Sequence, residues 1–328
     1  MEMLAGSGVD VHVFAYPVNA EAPFKFDGLD AQCQYYLRQN YSDVTLQSVI
    51  EGLSPDLIVC SGWIDQGYLR ICRSFHPSVK TVLALDNQLP NTLRGWASLL
   101  RARYVYRKWF RFAWVPGEPQ MAYAKRIGFG TTSIFSGFYT ADVERFKCMR
   151  FAQPSQPFPK RFVFVGRYLR FKGIKELWEA YDPEEFQGWE LWCAGQGALY
   201  ERRKTGPGIH HLGFVQPDEM DTFVKQGGVF ILPSHEEPWG VVVHEFAAAG
   251  YPLICSNRVG AATAFLIEGV NGFLVQAGDS KDLKAAMQKM SVQSAESLVE
   301  MARASGKLAG KITPESWVEK VTSMLETT

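Results

Sequence analysis

Four charged side chains invite a chemical reading: Arg167, Lys172, Glu237 and Glu245. The two glutamates fall in "EEPWGVVVHEFAAAG", residues 236–250, with seven residues between them. An apolar run, "GVFILPS", precedes this stretch, which closes on Gly250, with Pro252 just beyond. The pattern predicts a strand, a loop from Ser234 to Trp239 and a helix that begins near Gly240. One carboxylate then stands in the loop and the other about one and a half turns into the helix, roughly 7 Å along its axis. A helix start offers N–H groups without carbonyl partners and the positive end of the dipole, so an anion is welcome there. Gly240 removes the side chain where a phosphate would approach. Carboxylates spaced in this way can accept hydrogen bonds from hydroxyls at the two ends of one ligand, with a diphosphate between them. Each glutamate alone has a plainer reading, Glu245 as an exposed helical residue and Glu237 as a capping acid.

Arg167 leaves the apolar run "FVFVG" directly, and Lys172 follows beside Gly173. Guanidinium and ammonium groups at a strand's carboxyl end suit phosphate oxygens. With Arg170 nearby, the same stretch reads equally as a solvated basic loop. "LWCAGQG" contains G-x-G but neither a third glycine nor a downstream acid, so Gly195 predicts a tight turn close to a ligand, not a dinucleotide fingerprint.

These groups depend on an alternation of short apolar runs and helical patterns. The predicted strands are "VDVHVFAY", "DLIVCSG", "KTVLALD" and "FAWVPG", then "RFVFVGR", "WELWCAG", "GVFILPS" and "YPLICSN". Helical spacing separates them, as in "GIKELWEAYD" and "KDLKAAMQKM". Continuous apolar strands alternating with helices predict an α/β protein with parallel sheets covered on both faces. The Pro- and Gln-rich "FAQPSQPFPKRF" breaks the pattern with a linker's composition. The expected organisation is therefore an α/β domain over 1–155, a second over 156–310 and a C-terminal helix over 311–328 packing back toward the first. Sheets of this kind bind ligands beyond the carboxyl ends of their strands, so the loops there should line a cleft.

The 328 residues have 47% apolar content, enough for real cores. Lys plus Arg equals Asp plus Glu at 34 each, so any preference for a partner must come from local patches. Six scattered cysteines without a C-x-x-C pair read as buried free thiols of a reducing compartment. No apolar run reaches the length of a membrane span, which predicts a soluble, cytoplasmic protein.

Taken in order, "FVGRYLRFKG", "LWCAGQG", "HHLGFV", "LPSHEEPWGVVVHEFAAAGYPLICS" and "EGVNGFLV" resemble the nucleotide-sugar-binding half of the family 4 glycosyltransferases, which have the GT-B fold of two Rossmann-like doubly wound domains facing a central cleft. The resemblance covers residues 160–290, and the E-x7-E element is its most specific part. It implies a retaining sugar transfer from a nucleotide-diphospho-sugar to a glycan or lipid-linked acceptor, in polysaccharide or glycoconjugate synthesis, without cofactor or metal. An Asp-x-Asp metal signature is indeed missing from the sequence. Arg167 and Lys172 would neutralise the diphosphate, Glu237 would contact the sugar and Glu245 the ribose. Gly195, Trp239, Gly240 and Val241 would line the donor, and Phe214 and Val215 would border the base.

The first half resembles the family more loosely. "DLIVCSGWIDQGYL", "TVLALDN" and "IFSGFYTADVERF" look like degenerate acceptor-domain segments. Asp86 and Asp65 are the acceptor-side candidates, although a loop aspartate that caps a helix is the plainer reading, favoured for Asp65. "VDVHVFAY" looks like the family's second strand, so the first strand and most of the first helix are expected to be missing, either because the chain start is incomplete or because the N-terminal domain is shortened. Between Asp86 and Glu118 there is no acidic residue, while Arg94, Arg101, Arg103, Arg107, Lys108 and Arg111 interleave with aromatics. Residues 94–111 read either as a peripheral surface for an anionic membrane or lipid-linked acceptor, or as a core helix with a solvated basic face. Nucleic acid is not indicated, since no recognition motif accompanies the patch. Two other functions fit a similar fold: a sugar-nucleotide epimerase or phosphorylase, and a non-catalytic sugar-nucleotide-binding subunit.

Overall fold

The computed structural model describes residues 2–16, 33–90, 92–148, 157–216 and 219–327. Two compact units emerge, one of Met1–Tyr139 with Pro314–Thr328 and one of Thr140–Thr313.

The first unit opens with α1 (Glu2–Gly6), β1 (His12–Ala15), β2 (Gln34–Leu37) and α2 (Asp43–Leu53), followed by β3 (Leu57–Ser61) and α3 (Gln66–Phe75). Next come β4 (Lys80–Ala84), α4 (Leu93–Arg101), β5 (Phe112–Val115), α5 (Glu118–Ile127) and β6 (Ile134–Ser136). Strands β3-β4-β5-β6 form one parallel sheet, and β1-β2 form a separate parallel pair. All of β5 and the Val82–Ala84 part of β4 are apolar and buried, as central strands of a parallel sheet require. The last helix, α13 (Pro314–Glu326), supplies Val321 and Met324 to the core beside Leu4, Val82 and Trp114. Its Trp317 indole donates to the Phe138 carbonyl at 2.9 Å.

The second unit contains α6 (Val143–Cys148), β7 (Arg161–Val165), α7 (Ile174–Ala180), β8 (Glu190–Ala194), β9 (Ile209–Gly213) and α8 (Met220–Val224). It continues through β10 (Val229–Leu232), α9 (Val241–Ala248), β11 (Leu253–Ser256), α10 (Ala262–Phe265), β12 (Gly272–Val275), α11 (Ser280–Ser291) and α12 (Ala295–Ala309). Its sheet is parallel throughout, in the order β12-β11-β10-β7-β8-β9. The chain winds outward from β7 to one edge, then returns to β10 on the other side. The crevice between the carboxyl ends of β7 and β10 is thus the topological switch point, where such sheets take their ligands.

The boundary differs from the expected one. The Pro-rich stretch near 155 largely coincides with residues 149–156, which lie outside the described residues. The division falls instead at 139/140, because α6 packs on α9 and Arg145 Nε donates to Asp221 at 3.0 Å. Among the described residues no helix is long and apolar enough to cross a membrane.

The basic segment 94–111 is helical, with α4 continuing through a π turn and a short 3-10 turn to Trp109. Leu99, Ala102 and Tyr106 are buried in the core of the first unit. Its cations are not uniformly solvated. Arg103 donates to the Arg126 carbonyl at 2.8 Å and Arg107 to the Gly128 carbonyl at 3.1 Å, so both hold the C-terminal end of α5. Cations are favoured there by the unpaired carbonyls and the helix dipole.

Candidate functional site

Two loops meet at the switch point. After β7, residues 166–169 lead into a single 3-10 turn, Arg170–Lys172, which ends at Gly173. Gly173 has φ of +70°, and a Cβ there would run into the Pro233 carbonyl. Only glycine lets the loop after β7 lie this close to the end of β10. The His235 amide then donates to the Phe171 carbonyl at 2.7 Å, joining the two loops through backbone.

This contact brings Lys172 to Glu237. Its ammonium pairs with Glu237 Oε2, both side chains largely buried, and the Ser234 hydroxyl adds a contact at 3.4 Å. The loop after β10 is also strapped from its other side. The Glu237 amide donates to the Arg258 carbonyl at 3.2 Å, and the Gly260 and Ala261 amides return bonds to Glu237 and Trp239 at 3.0 and 2.9 Å. Arg167 and Lys172 lie 5.8 and 5.6 Å from the centre of the Phe171 ring, which thus stands beside both cations.

Gly240 caps α9 with φ of +94°, and a Cβ there would press on the Glu237 side chain at 3.0 Å. The half-buried Val241 opens the helix, whose first amides have no preceding helical carbonyl. Glu245 is the fifth residue of α9 and is half-buried. Desolvation pushes its carboxyl up to about 7, with Arg145 pulling in the opposite direction. Among the described residues no hydrogen-bond donor reaches that carboxyl. The carboxyl is only partly buried and therefore open to donors from water or from a ligand.

Below Glu245, the neighbouring His244 is fully buried and stacks on Phe265 with ring centres 4.1 Å apart. Its Nδ1 accepts from the Ala141 amide at 3.1 Å, and its Nε2 donates to the Ala309 carbonyl at 2.9 Å. Both ring nitrogens are used by the neutral form, and burial lowers the pKa to about 4. His244 therefore anchors α9 between the 141 backbone and the end of α12.

The remaining donor-side candidates are distributed as follows. Gly195 leaves β8, and its amide donates to the Gly213 carbonyl at 2.6 Å, while the Tyr168 amide of the loop after β7 donates to Gln196 at 2.8 Å. Phe214 and Val215 follow β9 and are half-buried. Trp239 was expected to line the donor, but its side chain is only 2% exposed and lies edge-on to Phe265. It is an anchor for the loop, because a buried indole presents no surface to a ligand.

In the first unit, Asp65 is the N-cap of α3. Its Oδ1 accepts from the Gly67 and Tyr68 amides at 2.7 and 3.3 Å, and its Oδ2 accepts from Arg38 and the Tyr16 hydroxyl at 2.9 and 2.7 Å. Four donors occupy this carboxylate, which excludes it as a free acceptor-side group. Asp86 lies just past β4, half-buried, and accepts from the Tyr139 hydroxyl at 3.2 Å.

Sequence reasoning missed three neighbours of the site: Phe171, Arg145 and His235, whose ring nitrogen stands 3.0 Å from Glu176. Phe171 sits between the two cations already singled out, so its place in the loop was readable. Arg145 is distant in sequence and left no local signal. Among the described residues no group of three His, Cys, Asp or Glu side chains is placed to hold a metal ion.

Residues 147–307 match the model of the glycosyl transferases group 1 family. An uncharacterized glycosyltransferase of Methanocaldococcus jannaschii is 30% identical over 128 residues, 37% of this chain and 35% of that protein. The chain thus matches about a third of the length of the curated relatives it resembles. Sucrose-phosphate synthase from Thermosynechococcus elongatus shares the fold with a TM-score of 0.73 at 16% identity, over 98% of this chain and 90% of that one. Anabaena HepE, solved in complex with UDP and glucose, gives 0.72 at 15% identity, over 97% and 92%.

Proposed function

We propose, for a chain whose residues 147–307 belong to the glycosyl transferases group 1 family and whose fold is GT-B, that it moves a sugar from a nucleotide-diphospho-sugar to a glycan or lipid-linked acceptor with retention of configuration. Synthesis of a cell-surface polysaccharide or glycoconjugate on the cytoplasmic side is the setting that fits this reading. The observation that carries it is the meeting of Lys172 and Glu237 at the switch point, with Arg167 on the same loop as Lys172 and Glu245 on the helix that follows Glu237.

Each group then has a task. As the bond from the anomeric carbon to the diphosphate oxygen breaks, negative charge builds on the departing diphosphate. Arg167, Lys172 and the first amides of α9 meet that charge in a setting fixed in advance. Glu237 accepts hydrogen bonds from sugar hydroxyls, and Glu245 from the ribose, whose hydroxyls supply the donors this carboxylate lacks. Lys172 pairs with Glu237, so a diphosphate competes with Glu237 for the ammonium. Phe214 and Val215 border the base, and Asp86 is the acceptor-side candidate. No side chain is assigned as nucleophile and no step runs through a metal. The rate arises from charge stabilisation and from holding the acceptor hydroxyl against the sugar carbon.

The test is a panel of nucleotide sugars read by thermal shift, followed by release of nucleoside diphosphate when glycan or lipid-linked acceptors are added. HepE, also solved with UDP-glucose, makes that compound the first donor to try. One nucleotide sugar should raise Tm clearly above the rest. A panel without any shift contradicts the reading.

A further inference from the structure

Helix α4 has two apolar faces, and the first unit uses only one. Leu99, with Ala102 and Tyr106 in the turns that follow, is buried in the core. On another side, Leu93 is 91% exposed, Trp96 40%, Leu100 50% and, one turn beyond, Tyr104 71%. At about 100° per residue, Leu93, Trp96 and Leu100 fall within a stripe of about 60°. A solvent-facing helix side is normally polar, so a continuous apolar stripe of this kind marks an interaction surface.

The charge around the stripe indicates what covers it. Arg94 and Arg101 are exposed along one edge, and no acidic residue occurs between Asp86 and Glu118 to neutralise them. Arg103 and Arg107 are engaged with carbonyls at the end of α5, so they hold the helix in place. Apolar side chains flanked by cations match the layering of an anionic bilayer, with acyl chains beneath phosphate headgroups. Trp96 and Tyr104 have rings with one polar tip, the kind that settles at such a boundary. We propose that α4 lies on an anionic lipid surface, with Leu93, Trp96, Leu100 and Tyr104 entering the acyl boundary and Arg94 and Arg101 meeting the headgroups. This surface is independent of sugar transfer, and its test requires no donor or acceptor.

The full chain is sedimented with vesicles of phosphatidylcholine alone and with vesicles of equal parts phosphatidylcholine and phosphatidylglycerol. Binding is expected to the anionic vesicles only and should weaken as salt rises, since charge attraction is screened beyond about 8 Å at physiological ionic strength. The double variant Leu93→Gln, Leu100→Gln should lose at least about tenfold in partition, because the burial of apolar side chains drives insertion. Arg94→Gln should weaken binding to a smaller extent. All three side chains are exposed, so Tm should stay at the wild-type value. Val292→Gln, a change at an exposed valine of the second unit, should partition as the wild type does. Wild-type protein left in the supernatant with anionic vesicles overturns the proposal, as does a leucine variant that binds like wild type. A lipid-free dimer that the leucine changes dissolve also overturns it, since the stripe would then belong to a second copy.

Discussion

In the first unit the loop carboxylates at the strand ends are occupied by the protein itself. Asp65 takes two backbone amides, Arg38 and Tyr16, and Asp86 takes Tyr139. In the second unit, Glu245 stands beyond the reach of any described hydrogen-bond donor, its carboxyl pushed up to about 7, while Lys172 and Glu237 hold each other across the switch point. A carboxylate with four protein donors is a structural member, whereas a partly buried one with a raised pKa and no protein donor is suited to a ligand that brings them. Carboxylates near the strand ends of the two units thus have different uses, and their partners decide which.

Removing cations from the switch point should break this contrast most severely. Arg167→Ala and Lys172→Ala should each cost about 2–4 kcal/mol of transition-state stabilisation, by analogy with the loss of one oxyanion donor, and should affect kcat more than donor affinity. Steady-state kinetics with the identified donor measures this, and wild-type rates in both variants would remove these residues from the mechanism.

Acid should come next, acting through His244. Its folded pKa of about 4 lies below the usual 6.5, so the neutral form stabilises the fold above pH 6.5 and that contribution is lost as pH falls toward 4. The shift corresponds to about 3 kcal/mol. Denaturant titrations over this range should show the slope, and His244→Gln should flatten it.

Asp65→Ala should cost about 1–2 kcal/mol of stability through the lost cap while leaving donor affinity alone. Calorimetry that found weaker donor binding in this variant would break the division of labour between the units.

Glu245 gives two opposite pH trends. Its raised pKa means that its contribution to the stability of the unliganded protein is present below about 4.5 and is lost as pH rises through about 7. Ribose hydroxyls bind the carboxylate form, so nucleotide affinity should instead rise through the same range, by roughly tenfold between pH 6 and 8. Glu245→Gln should remove both trends, and an unchanged affinity profile would dissociate this residue from the nucleotide.

Among the described residues, eight of the twelve strands could be read from the sequence, and three of those missed are sheet edges. "IHHLG" and "GFLV" flank the six-stranded sheet as β9 and β12, and "IFS" ends the four-stranded one as β6. These three are only partly buried, and β9 carries two histidines, in contrast to the fully buried β10 and β11; β3, also an edge, was readable through its apolar "LIVC" run. The fourth, "QYYL", belongs to the isolated pair with β1 and is half-exposed. The candidate site was legible wherever it is local, as in the loop–helix spacing of Glu237 and Glu245 or the pairing of Arg167 with Lys172. It was illegible where partners arrive from far along the chain. Nothing in "TADVERF" announces that Arg145 sets the charge near Glu245, and nothing around Trp239 shows that Phe265 buries it.

The most direct test of the central assignment is calorimetry with a bare nucleoside diphosphate, UDP first, on wild type, Glu245→Leu and Glu237→Gln. Glu245→Leu should bind it clearly more weakly, having lost the ribose contact. Glu237→Gln should bind at least as tightly as wild type, because Lys172 no longer has a carboxylate competing with the diphosphate. Equal affinity in Glu245→Leu and wild type, or a marked loss in Glu237→Gln alone, would contradict the account.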